Sequence, residues 1–202
     1  MPKKRVIAKI EINQRQAINT KQFCVRKYLG DPINMTRIFS AKLVDEILLI
    51  DVGAAKREYS IQYDFLAQIA SESAVPITYG GGISSPKEAK KIIRIGFEKV
   101  CLNTMLFENS SNVKYIAGAI GAQSIVASLD FNNKSGLRSA VYFSGQKDLN
   151  SSCPSVIDTV LELDVGEVLI NSIECHGIMK GPCLPLINSI PEGLKRPIIY
   201  SG

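Results

Sequence analysis

Along the chain, apolar runs of strand length alternate with stretches in which apolar residues recur at helical spacing. RVIAKIEI, EILLIDV, VPITYGG, KVCLNT, SIVASLDF, EVLINSI and RPIIYSG are the strand candidates. INMTRIFSAKLV, IQYDFLAQIASE, SPKEAKKIIRIG, NVKYIAGAIG, CPSVIDTVLELD and CLPLINSI lie between them and carry the helical pattern. Strands interleaved with helices predict a parallel α/β fold, because a parallel pair needs a crossover long enough to hold a helix. The runs are apolar on both faces, as in a sheet covered by helices or closed into a barrel. One long polar stretch, Asn132–Cys153, breaks the rhythm after the fifth run. It reads as a loop covering a site, with room for a small hairpin.

The two halves echo each other. VPITYGG parallels RPIIYSG, DEILLID parallels GEVLINS and RVIAKIE parallels SIVASLD, each pair about 120 residues apart. A duplicated four-strand unit implies eight strands, hence a single (β/α)8 TIM barrel domain over residues 1–202, built from half-barrel repeats of about 1–120 and 121–202. Repeating the spacing once more puts the partner of KVCLNT past residue 202. The barrel is therefore expected to be incomplete at the C-terminus, with strand eight missing, and its uncovered strand edges are expected to drive self-association.

Composition narrows the partners. At 46% hydrophobic and 21% charged, 202 residues suit one folded core. The net charge of +5 favours anionic ligands, but the lysines and arginines are scattered without interleaved aromatics, so phosphorylated metabolites fit better than nucleic acid. The apolar runs fall far short of the roughly 20 residues a membrane span needs. Charges interrupt MPKKRVIAKIEI before a signal-peptide core could form, so a cytoplasmic location with no membrane contact is expected. The cysteines, Cys24, Cys101, Cys153, Cys175 and Cys183, are odd in number and contain no CxxC pair. Reduced, mostly buried thiols are expected, with no metal and no cofactor.

Three groups of residues are placed to do chemistry. Gly80, Gly81 and Gly82 lie between a strand and a helix that starts at Ser84-Ser85-Pro86. Bare backbone there suits either a tight turn or an anion at a helix start. Glu11 and Asp130 end strands one and five, which face each other across an eight-membered ring, where one carboxyl can take a proton and the other give one. Arg5, Glu46, Lys99 and Glu167 each precede an apolar strand, so two cations and two anions should ring the base of the barrel.

DEILLIDVGA, VPITYGGGISS, EKVCLNT, GAQSIVASLD and GEVLINSI, in that order, resemble the cyclase (HisF-type) subunit of imidazole glycerol phosphate synthase, over Arg5 to Gly202. The resemblance implies an ammonia-dependent lyase or cyclase that acts on a phosphorylated ribulosyl substrate. Asp130 and Glu11 then match the catalytic aspartate pair, Glu11 being one methylene longer, and Asp51 matches a pocket carboxylate. Gly81, Gly82, Asn103 and Thr104 match one phosphate site; Ser201 and Gly202 match part of a second. Arg5, Glu46, Lys99 and Glu167 match the gate through which ammonia enters from a glutaminase (class I amidotransferase) subunit on the N-terminal face of the barrel. The chain departs from the pattern at Asn19, where the family carries a lysine and Lys21 is nearby, and at Glu174 and His176, which replace two aspartates. His176, Asn171 and Ser172 are further pocket candidates. KYLGDPINMTRIF and IMKG look more like a branch acting on nitrogen-containing surface sugars, and the missing strand also suits a barrel that retains only partner binding.

Overall fold

The structure, a computed structural model, describes residues 4–134 and 137–202. The chain divides into two compact units, one of residues 1–19 and 27–101, the other of residues 20–26 and 102–202.

The first unit opens with β1 (Ile7–Asn13), which turns into β2 (Gln16–Lys21) with Asn13 opposite Gln16. Gln14 and Arg15, the residues between them, have φ of 47° and 65°. Positive φ at both central positions marks a type I′ hairpin, normally the work of Asn-Gly pairs. After β3 (Val25–Gly30), Asp31 caps α1 (Pro32–Ala41) by accepting from the N–H groups of Ile33 and Asn34. β4 (Glu46–Asp51), the short α2 (Val52–Ala55), α3 (Tyr63–Ser71), β5 (Ile77–Gly80), α4 (Pro86–Arg94) and β6 (Lys99–Leu102) follow. β4 pairs in parallel with β1 on one side and β5 on the other, and β5 pairs in parallel with β6. Ile10, Ile12, Ile47, Leu49, Tyr79 and Val100 on the strands, with Phe65, Leu66, Ile69, Ile92 and Phe97 against them, form the buried core.

The second unit holds α5 (Thr104–Glu108), α6 (Ser110–Ile120), β7 (Ile125–Lys134), β8 (Leu137–Tyr142) and β9 (Lys147–Asp148). It continues through α7 (Cys153–Leu161), β10 (Glu167–Ser172), α8 (Leu184–Ile187) and β11 (Ile198–Ser201). β10 lies between β7 and β11, parallel to both. The polar stretch after the fifth run folds as antiparallel pairs, β7 with β8 and β8 with β9.

All seven apolar runs become parallel strands. β2 and β3 are not among the expected strands, and strands one and five run further than expected. β1 continues past Glu11 and β7 past Asp130, because each is extended by an antiparallel partner. CLPLINSI forms only the single turn of α8, and Pro191, which has no N–H to continue a helix, follows closely. Cys101, Cys153 and Cys183 are buried, Cys175 is half-buried and Cys24 is exposed. Among the described residues, no helix is long and apolar enough to cross a membrane.

Candidate active site

At the base of the first unit, Glu46 begins β4 and is almost fully buried. Its Oε2 lies 2.9 Å from Lys99 Nζ and 3.2 Å from Arg5 Nη1, and its Oε1 accepts the Thr78 hydroxyl at 2.6 Å. A buried carboxylate is tolerated when cations and donors satisfy both oxygens, and here they come from β5, from β6 and from just ahead of β1. Three of the four residues expected to ring the base are thus joined. The fourth, Glu167, is the first residue of β10 in the second unit, in register with Val126.

At the opposite ends of these strands, Glu11 is 8% exposed and its Oε1 lies 3.3 Å from Lys9 Nζ. The two residues are two apart on one strand, so they share a face. The resemblance points to a lysine at the position of Asn19, whereas the cation beside Glu11 is Lys9. An alternating strand, with Ile10 and Ile12 on the other face, was the available signal.

Asp51 closes β4. Its Oδ1 accepts from the Ala54 N–H at 3.0 Å and the Tyr59 hydroxyl at 2.7 Å, and it caps α2. The Tyr59 oxygen accepts in turn from the Gln14 N–H at 2.8 Å. Burial holds the Asp51 carboxyl above the usual carboxylate range, partly offset by these hydrogen bonds; burial and the Asp51 contact likewise push the Tyr59 phenol up. Asp51 therefore carries structural work that the reading of it as a pocket carboxylate did not include.

The glycine stretch has a packing reason of its own. Gly81 has φ of 145°, and a Cβ on it would lie 2.7 Å from the Asp51 carbonyl oxygen; Gly82 has φ of 66°, and its Cβ would lie 2.8 Å from the Ala54 carbonyl oxygen. Only glycine lets this turn close on β4 and α2. Ser85 then caps α4 by accepting from the Glu88 N–H, while the Glu88 carboxylate accepts from Ser84 N and Oγ at 2.7 and 2.9 Å. This is the reciprocal arrangement of a capping box, shifted by one residue.

In the second unit Asp130, 6% exposed, is held by two side-chain amides. Asn171 Nδ2 donates to its Oδ1 at 2.8 Å and Asn103 Nδ2 to its Oδ2 at 3.2 Å. Asn171 reaches it because the two residues are register partners across β7 and β10. Asn103 precedes α5; its Nδ2 also lies 2.9 Å from the Ser128 carbonyl, and its Oδ1 accepts from the Phe143 N–H at 3.2 Å. One side chain thus ties the carboxylate to the far end of β8. Asn171 Oδ1 is buried with no hydrogen-bond partner among the described residues.

His176 is buried, with Nε2 3.0 Å from Thr20 Oγ1 and its ring edge-on to Phe23. Its carbonyl accepts from the Gln22 N–H. It fastens residues 20–23 to the loop after β10. Ser201 ends β11 in register with Asn171, and Gly202 lies against Ser172. Thr104 is the first residue of α5. Gly81, Gly82, Glu11 and Asp51 belong to the first unit, and Asn103, Thr104, Asp130, Ser201 and Gly202 to the second.

Residues 5–202 match the family described as histidine biosynthesis protein. The chain is 36% identical, over its whole length and 81% of the relative, to a Pseudomonas aeruginosa protein provisionally named imidazole glycerol phosphate synthase subunit hisF2. It is 31% identical, over 98% of its length and 79% of the relative, to the imidazole glycerol phosphate synthase subunit HisF of Pyrococcus furiosus. A Vibrio vulnificus protein provisionally named subunit hisF3 is also 31% identical, over 78% of its own length.

Proposed function

The chain belongs to the histidine biosynthesis protein family, and on that premise we propose that it is a cyclase subunit of the imidazole glycerol phosphate synthase type. It uses ammonia supplied by a glutaminase partner on a phosphorylated ribulosyl substrate in the cytoplasm. The observation that carries this reading is Asp130, a nearly buried carboxylate whose two oxygens are each oriented by a side-chain amide. Such a group is held still and can exchange a proton without first reorganising its surroundings. Glu11 is its proposed partner in proton transfer, and Lys9 takes the charge-balancing position beside Glu11.

The seven parallel strands are read as successive strands of the family's (β/α)8 barrel, with the half-barrel repeats at about residues 1–120 and 121–202. Gly81, Gly82, Asn103 and Thr104 then cradle one phosphate, and Ser201 and Gly202 contribute to a second. Arg5, Glu46, Lys99 and Glu167 gate ammonia at the N-terminal face, where the glutaminase docks. The ion-paired state of Glu46 is the closed form of this gate.

A second reading, ammonia transfer to a nitrogen-containing surface sugar, is favoured by the remodelled rim. Lys9 pairs with Glu11, Asn19 stands where the family carries lysine, and His176 is a strut bonded to Thr20. Purified chain assayed with ammonium and each substrate class separates the two. Turnover of the ribulosyl substrate, lowered about 100-fold or more in kcat by Asp130→Asn, supports the first. Turnover of the sugar alone selects the second. Glutaminase binding without any turnover points to a chain that retains only partner binding.

A further inference from the structure

The loop between β10 and α8 gathers three metal-ligating side chains that the proposed chemistry does not use. Glu174 and Cys175 lie in the turn after β10, and Cys183 directly precedes α8. A carboxylate oxygen of Glu174 and the Sγ atoms of Cys175 and Cys183 all lie within 4.8 Å of one another. We propose that these residues form a binding site for a single thiophilic divalent cation of the zinc type.

The donor set fits. Two thiolates and one carboxylate are borderline-soft ligands suited to Zn2+, and three protein ligands leave a fourth tetrahedral position for water or a small molecule. In a tetrahedral site with Zn–S bonds of about 2.3 Å, ligand atoms stand about 3.8 Å apart, so the side chains need move only by roughly an ångström. The backbone that carries them is anchored on both sides. The turn is held by the His176 N–H donating to the Ile173 carbonyl and by the Gln22 side-chain amide donating to the Glu174 carbonyl at 3.1 Å. The Cys183 N–H donates to the Tyr200 hydroxyl of β11 at 2.7 Å. The Cys183 thiol donates to Glu174 Oε1 at 2.9 Å, a hydrogen bond that a bound cation would replace. Binding forms two S–metal bonds and one O–metal bond, and each thiol gives its proton to solvent. Glu174 and Cys175 are only half-buried, which leaves a path for the ion. No CxxC spacing announces the site, because its ligands come from two segments brought together by the return of β11 alongside β10.

The test uses the 202-residue chain, reduced and stripped with chelator, then titrated with Co2+ and afterwards Zn2+. Expected are one Co2+ per chain, a near-ultraviolet thiolate-to-cobalt band of two-thiolate intensity, and its stoichiometric loss on Zn2+ addition. Cys175→Ser and Cys183→Ser should each halve the band and weaken Zn2+ binding at least about tenfold, the scale on which even supporting residues of metal sites act. Glu174→Gln should weaken binding but retain both thiolates, and Cys24→Ser should change nothing. Cys175→Ser lies on a half-exposed turn, so it reports on the site even if buried Cys183→Ser unfolds. The proposal is overturned by absence of the band, by a band that keeps its full intensity in Cys175→Ser, or by a Cys175–Cys183 disulfide that re-forms in air while metal is ignored.

Discussion

Asp51 shows how one side chain can be read correctly in type and incompletely in role. As the last residue of β4 it was legible from sequence as a carboxylate at a strand end. Its bonds to Ala54 N–H and the Tyr59 hydroxyl depend on a turn that sequence does not reveal. Because burial raises its pKa in the folded chain, the native state binds this proton more tightly than the unfolded state does. Its contribution to stability is therefore fully present below the unfolded carboxylate pKa and declines as pH rises through the folded value. Asp51→Asn keeps an acceptor for both donors without a buried charge. Thermal melts should show unchanged or higher stability at neutral pH and a loss of that part of the pH dependence. Asp51→Ala should cost about 1–2 kcal/mol, the usual loss for a removed helix cap. Equal destabilisation by both variants would mean that the charge itself holds the turn. Glu11 offers a companion test at the same scale: Glu11→Asp shortens the side chain by one methylene, and on the proposed reading a change in kcat in either direction reports whether the site is tuned to glutamate beside Lys9.

At the level of elements, β4, β5 and β6 are joined at their bases by one carboxylate, and a glycine turn at the other end closes β5 on β4 and α2. Removing Glu46 takes from Lys99 the carboxylate 2.9 Å from its ammonium and from Thr78 the acceptor of its hydroxyl. Glu46→Ala should destabilise the chain by about 3–5 kcal/mol in denaturant melts, and Glu46→Leu combined with Lys99→Met should recover much of it. No recovery in the pair would show that Arg5 and Thr78, not Lys99, carry the cost. Gly82→Ala should cost more than about 1 kcal/mol, since the added methyl meets the Ala54 carbonyl and the φ of 66° is left-handed. The loss belongs to stability and should appear with no ligand present. The hairpin of β1 and β2 was illegible for a related reason: its type I′ turn is made by Gln14 and Arg15, residues that seldom adopt positive φ.

For the whole molecule, the strand β11 sets the expectation. Within its unit it pairs with β10 on one side, and all four of its residues are only half-buried, whereas β10 is almost wholly buried. A half-covered apolar strand recruits partners. Sedimentation velocity of the 202-residue chain should show dimers or larger species, and a compact monomer that binds no hydrophobic dye would refute this. The sequence by itself determined the seven parallel strands, most of the helices between them, the capped start of α4 and the carboxylate that ends β4. These follow from periodicity, β-branched runs and turn residues, which act over a few neighbours along the chain. Only the tertiary structure decided that Lys9 pairs with Glu11, that Asn103 and Asn171 share Asp130, that His176 is a strut, and that Glu174, Cys175 and Cys183 converge. Apart from Lys9, each of these joins residues from different segments. Such contacts depend on strand register and loop path, which local pattern leaves open until the sheet has formed.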